Sequence, residues 1–104
     1  MKSNSLVRLL AVAVLSAPTL GLATDADAGL AVVRTLGTVN GQALACSEMG
    51  VAARARQLML AHAPKTPRFG AAYEEATNEA FNAQTGSGKP CANATELAAR
   101  INEL

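Results

Sequence analysis

The side chains able to act as nucleophiles or soft metal ligands are few: Cys46, Cys91, Met49, Met59 and His62. Cysteine catalysis needs a thiolate within hydrogen-bond reach of an imidazole. His62 is the only histidine, and sixteen residues separate it from Cys46. On one continuous helix that is about 24 Å, too far for contact. Met59 and His62 are one helical turn apart and could share a soft ion such as Cu(I). Cys46 and Met49 lie two to three turns further back, so a copper-binding protein is an alternative reading and no cofactor is expected. No Cys-x-x-Cys pair or histidine cluster is present. Glu74, Glu75 and Glu79 read as a solvated face, since nothing in the pattern buries them to shift their pKa values. Gly86-Ser87-Gly88-Lys89 fails as a phosphate loop: Ala83 replaces the first glycine and Pro90 follows the lysine. Asn93-Ala94-Thr95 matches a glycosylation triplet, but Asn93 also suits a helix cap. No catalytic constellation results, and the chain is expected not to be an enzyme.

The cysteines make better sense as a pair. A Cys46–Cys91 disulfide needs an oxidising compartment, and the N-terminus supplies a route to one. Lys2 and Arg8 give a positive start, residues 6–15 are almost wholly apolar, Pro18 breaks the run, and Ala26-Asp27-Ala28 is a small-x-small cleavage pattern. Residues 1–28 are therefore expected to be a removed signal peptide, with Gly21-Leu22-Ala23 as the other cleavage choice. The product, residues 29–104, is one small periplasmic or secreted domain. The apolar run falls short of the roughly 20 residues of a membrane span, so no stable membrane insertion is expected after cleavage. The chain has nine Lys/Arg and eight Asp/Glu; removing Lys2, Arg8, Asp25 and Asp27 leaves seven and six. That balance gives no electrostatic reason to bind nucleic acid. A domain this small is marginal on core burial alone. Closing a 45-residue loop adds about 4 kcal/mol in the chain-entropy model.

The elements that must position these residues read as three helices. Gly29 to Asn40 holds β-branched residues and no helix cap, which suggests a short strand or an extended arm, and Asn40-Gly41 reads as a turn. A first helix is expected between Gln42 and His62, with Ser47 as N-cap and Val51, Ala55, Leu58, Met59 and His62 on one face. Pro64 ends it. Thr66-Pro67 opens a second helix, where Phe69, Tyr73, Ala76 and Ala80 form an apolar stripe. Gly86-Ser87-Gly88-Lys89-Pro90 stops it. A short third helix carries Leu97, Ala98, Ile101 and Leu104, capped by Asn93 or Thr95. The expected fold is all-α: a small three-helix up-down-up domain with an extended N-terminal arm and one disulfide.

Function is expected to lie in binding. Phe81 sits about 100° from Ala80, off the apolar stripe, where it either packs or widens an exposed face. Lys65 and Arg68 make a basic hairpin tip suited to an acidic partner. From Met49 to Tyr73 the ionised side chains are Arg54, Arg56, Lys65 and Arg68; after that, five Glu face only Lys89 and Arg100. Exposed pairs between two such helices are worth about 0–1 kcal/mol each. The main expectation is an exported helical protein that binds a protein partner as adaptor, inhibitor or accessory subunit. A second copy of the chain is a further candidate partner. The two-cysteine helical layout is similar in outline to small periplasmic acid-stress chaperones, which implies a stress chaperone as another alternative; those proteins carry more charge than this chain.

Overall fold

The computed structural model describes residues 27–104. The expected signal peptide, apart from Asp27 and Ala28, lies outside the described residues. The described chain is all-α and carries the Cys46–Cys91 disulfide, with Cα atoms 5.7 Å apart. It contains four helices: α1 over residues 27–45, α2 Met49–His62, α3 Pro67–Ser87 and α4 Ala94–Asn102.

The first helix corrects the expected arm. Residues 29–40 are neither strand nor extended, and Asn40-Gly41 is not a turn. Leu30, Val33, Leu36, Val39 and Ala43 recur at helical spacing and are all buried. Burial on that face outweighs the weak local preference of β-branched residues for strands. The helix expected from Gln42 to His62 is accordingly two helices with a break at residues 46–48.

Ser47 is corrected with it. It does not cap α2, whose N-cap residue is Glu48 with no side-chain cap bond. Instead Ser47 terminates α1 in the left-handed region, at φ 60°. The Glu48 N–H donates to the Ala43 carbonyl (2.8 Å) and the Ser47 N–H to the Leu44 carbonyl (3.4 Å). That pair of bonds is a Schellman termination, which favours glycine at the left-handed position. The other boundaries follow the sequence. Thr66 precedes Pro67 at the start of α3, and Gly88 ends it at φ 69°. Asn93 Oδ1 accepts from the Glu96 N–H (2.8 Å) at the start of α4.

Two buried clusters make the interior. Leu36, Val39, Ala43, Val51, Ala52, Ala55, Leu97 and Ile101 join α1, α2 and α4. Leu30, Val33 and Ala72 join α1 to α3, with Met59 and Phe69 against them. Tyr73 touches both clusters.

The closest packing lies between α1 and α3. A Cβ placed on Gly37 would fall 2.6 Å from the Tyr73 carbonyl oxygen and 2.8 Å from the Ala76 Cβ. One on Gly41 would run into the Thr77 carbonyl oxygen and lie 2.9 Å from the Ala80 Cβ. Glycine is required at both positions because the backbones approach too closely for any side chain. Gly29 lies near Phe69, Gly37 near Ala76 and Gly41 near Ala80, so α1 and α3 run in the same direction. Asn40, buried in this seam, donates through Nδ2 to Thr77 Oγ1 (3.2 Å), and Thr77 Oγ1 donates to the Tyr73 carbonyl (2.8 Å). Its partner satisfies the buried amide donor, as burial of a polar group demands.

Candidate functional site

The disulfide ties the turn after α1 to the segment ahead of α4, and no free cysteine remains. Neither sulfur therefore offers a thiolate to His62. Met59 packs against the Leu30, Val33 and Ala72 cluster, whereas His62 is exposed. Among the described residues no group of three or more His, Cys, Asp or Glu is placed to hold a metal ion. Glu74, Glu75 and Glu79 are all exposed on α3. Arg54 donates to Asn102 Oδ1 of α4 (2.7 Å), and Arg100 of α4 donates to Gln42 Oε1 of α1 (2.6 Å). Arg54 of α2 thus meets the neighbouring short helix rather than the glutamates of α3.

The expected partner-binding residues fall in two places. Lys65 sits in the α2–α3 connector, where its Nζ donates to the Leu60 carbonyl near the end of α2. A cation there complements the helix dipole. Arg68 is exposed in the first turn of α3. Phe81 is 40% exposed near the far end of the same helix. Thirteen residues separate Arg68 from Phe81, about 20 Å along a helix axis, so the two belong to different surfaces.

The feature that does gather apolar side chains is a cleft at the Lys65 end. It consists of two adjoining depressions that share Val32 and Leu36 of α1 and Leu58 and His62 of α2. One, of about 490 Å3, reaches Pro64 and Phe69; the other, of about 350 Å3, reaches Arg54, Ile101 and Leu104. Volumes of this order hold a partner's side chains or a small ligand. Among the described residues His62 is the only ionisable side chain lining the larger depression, and Arg54 joins it in the smaller. Val32 is 39% and Leu104 50% exposed, so apolar surface is left in water at this end.

Local sequence explains the cleft. The helical register of α1 puts Val32 and Leu36 one turn apart on one side, and α2 does the same with Leu58 and His62. Higher up, Leu97 and Ile101 of α4 cover the α1–α2 seam and are buried. Ile101 is the last buried residue of α4, which ends at Asn102 beside Arg54. Leu58 and His62 continue beyond it. Sequence reasoning did not reach the cleft because half of it comes from α1. The usable signal was the i, i+4 spacing of Val32 and Leu36 beside buried Leu30 and Val33.

A second concavity of about 300 Å3 lies between α1, α2 and α3, lined by Asn40, Leu44, Met49, Arg56 and Tyr73 among others. The Tyr73 hydroxyl is buried and has no hydrogen-bond partner among the described residues. Burial pushes its pKa above the ordinary value, and the nearby Arg56 charge pulls the other way. No family model matches this chain, and no curated protein and no solved structure matches it.

Proposed function

We propose that this chain is a small exported binding protein that engages a protein partner through the apolar cleft at the Lys65 end. The observation that carries the reading is a seam only partly covered by the described residues: beside buried Leu36, Leu58 is half-buried, Val32 is 39% exposed and His62 is exposed, at the level where α4 ends. Apolar area is stabilised by removal from water at about 25 cal/mol per Å2, so covering such a seam supplies a driving force for association. Lys65 and Arg68 flank the Pro64–Phe69 edge of the cleft and give an approaching acidic surface its orientation. The disulfide and the leader-like N-terminus support a site of action outside the cytoplasm.

The test is a photo-crosslinking residue placed at Val32 and, in a separate sample, at Glu75 on the exposed side of α3. Cells that make the protein are irradiated, and the adducts are identified by mass spectrometry. A discrete adduct from position 32 and none from position 75 is the expected result. Equal labelling from both positions, or none from 32, overturns the assignment of the cleft.

A further inference from the structure

We infer that the occupant of the cleft is a helical segment of the partner, apolar on one face and acidic on the rest, lying where a longer α4 would run. The inference rests on the cleft being the binding site and adds what it takes.

The argument begins with unequal lengths. α4 has nine residues, against fourteen in α2 and twenty-one in α3. It meets α2 at Arg54, and α2 continues eight residues further to His62, about 12 Å of helix beyond that contact. Over its own length α4 fills the seam with Leu97, which is fully buried, and Ile101, which is 3% exposed. Beyond it the seam persists: Val32, Leu36, Leu58 and His62 meet Ile101 and Asn102 from the end of α4 and the exposed Leu104 after it in the smaller depression, and no residue of α4 lines the larger one. A groove between two packed helices is the shape into which the ridge of a third helix fits.

Backbone chemistry favours a helix over an extended peptide. Among the described residues the larger depression offers His62 as its only ionisable side chain. An extended strand laid there would bury N–H and C=O groups with few partners, each costing about 1–3 kcal/mol. A helix satisfies those groups internally. It needs only apolar side chains one turn apart, one for each depression.

Charge selects the remaining surface of the helix. Arg54 and His62 line the cleft, while Lys65 and Arg68 are exposed chain neighbours of its lining residues Pro64 and Phe69. The acidic side chain near the cleft is Glu103 after α4, exposed; Asp27 falls within the leader that the proposed export removes. Basic groups outnumber acidic ones around the rim, so a helix bearing Glu or Asp beside its apolar face is steered in and a lysine-rich one is repelled.

The experiment uses the disulfide-bonded protein and four probes: an amphipathic peptide with leucines at i, i+4 and glutamates elsewhere, the same peptide with lysine for glutamate, the acidic peptide with a central proline, and sodium laurate. Affinity is read by fluorescence anisotropy for the labelled peptides and by calorimetry for laurate; the site is read from amide NMR shifts. The acidic peptide should bind at least about tenfold tighter than the lysine and proline versions, with shifts centred on Val32, Leu36 and Leu58. Val32→Glu should abolish that binding, and Val32→Asn, milder on folding, should weaken it. Arg54→Glu should narrow the gap between acidic and basic peptides. Equal affinity for the proline version overturns the helix, and equal affinity for the lysine version overturns its acidity. Laurate shifting the cleft amides while no peptide does overturns the helix inference but leaves the cleft as a binding site. If no probe binds and position 32 yields no crosslink, the cleft assignment fails as well.

Discussion

α1 has two faces with opposite properties. On the side toward α3, Gly37 and Gly41 leave no room even for a methyl group. On the side toward the end of α2, Val32 and Leu36 border several hundred cubic ångströms of open space. The same helix is overdetermined on one side and unfinished on the other. The tight face sets the fold, because a contact between backbones cannot relax cheaply. On the open side Leu36, Val39 and Ala43 still pack in the buried cluster with α2 and α4, and only Val32, near the start of the described helix, is left exposed. Small domains seldom leave apolar side chains uncovered when their cores are already thin, so the exposed Val32 is where the proposed binding role is most cleanly separated from folding.

The comparison is broken most completely by removing the staple. Cys46→Ser with Cys91→Ser should cost about 4 kcal/mol in the chain-entropy model, enough to unfold much of a domain whose whole stability is of that order. Guanidinium denaturation of the double variant beside the parent measures it. Gly41→Ala comes next. Its new Cβ meets the Thr77 backbone rather than a movable side chain, so a loss of about 2–3 kcal/mol is expected. Gly50→Ala, where nothing lies within reach of the added carbon, should instead gain up to about 1 kcal/mol from helix propensity. Thermal melts of the pair decide whether α1–α3 contact, and not glycine as such, is responsible.

Two smaller effects sharpen the same contrast. Ser47→Gly should stabilise by about 1 kcal/mol, since the left-handed backbone at the end of α1 is unfavourable for a residue with a Cβ. Tyr73→Phe deletes a buried hydroxyl that has no partner, so it should be neutral or stabilising by about 1 kcal/mol. It also carries a pH signature. Burial raises the Tyr73 pKa above the ordinary tyrosine value of 10.0, and ionisation is therefore easier in the unfolded chain. Stability is intact below pH 10 and falls as pH climbs from there through the folded-state pKa. The phenylalanine variant should lose part of that alkaline decline, as read from denaturation midpoints across the alkaline range.

The parts of the fold readable from sequence were those fixed by neighbours in the chain. Thr66-Pro67 opens α3, Asn93 caps α4, and the two cysteines pair, because caps, proline and loop closure act locally or covalently. α1 was not readable in the same way. Its valines and Asn40-Gly41 favour strand and turn over short range, and its helix is held by α3, some forty residues later. The recoverable signal was a match between two distant stretches: Gly37 and Gly41 four apart, and Ala72, Ala76 and Ala80 four apart. The candidate site followed the same rule. Lys65 and Arg68 stand out as charges in a short connector, whereas Val32 and Leu36 gain their meaning only when α1 is a helix and α4 is short.

The most direct measurement takes Val32→Glu and reads melting temperature and partner binding on the same sample. The partner is the protein crosslinked at that position. Val32 is 39% exposed and lies off the glycine face, so the melting temperature should stay within the few degrees expected of a surface substitution, while partner binding is lost. Full affinity in a correctly folded Val32→Glu protein would contradict the division of α1 into a structural face and a binding face.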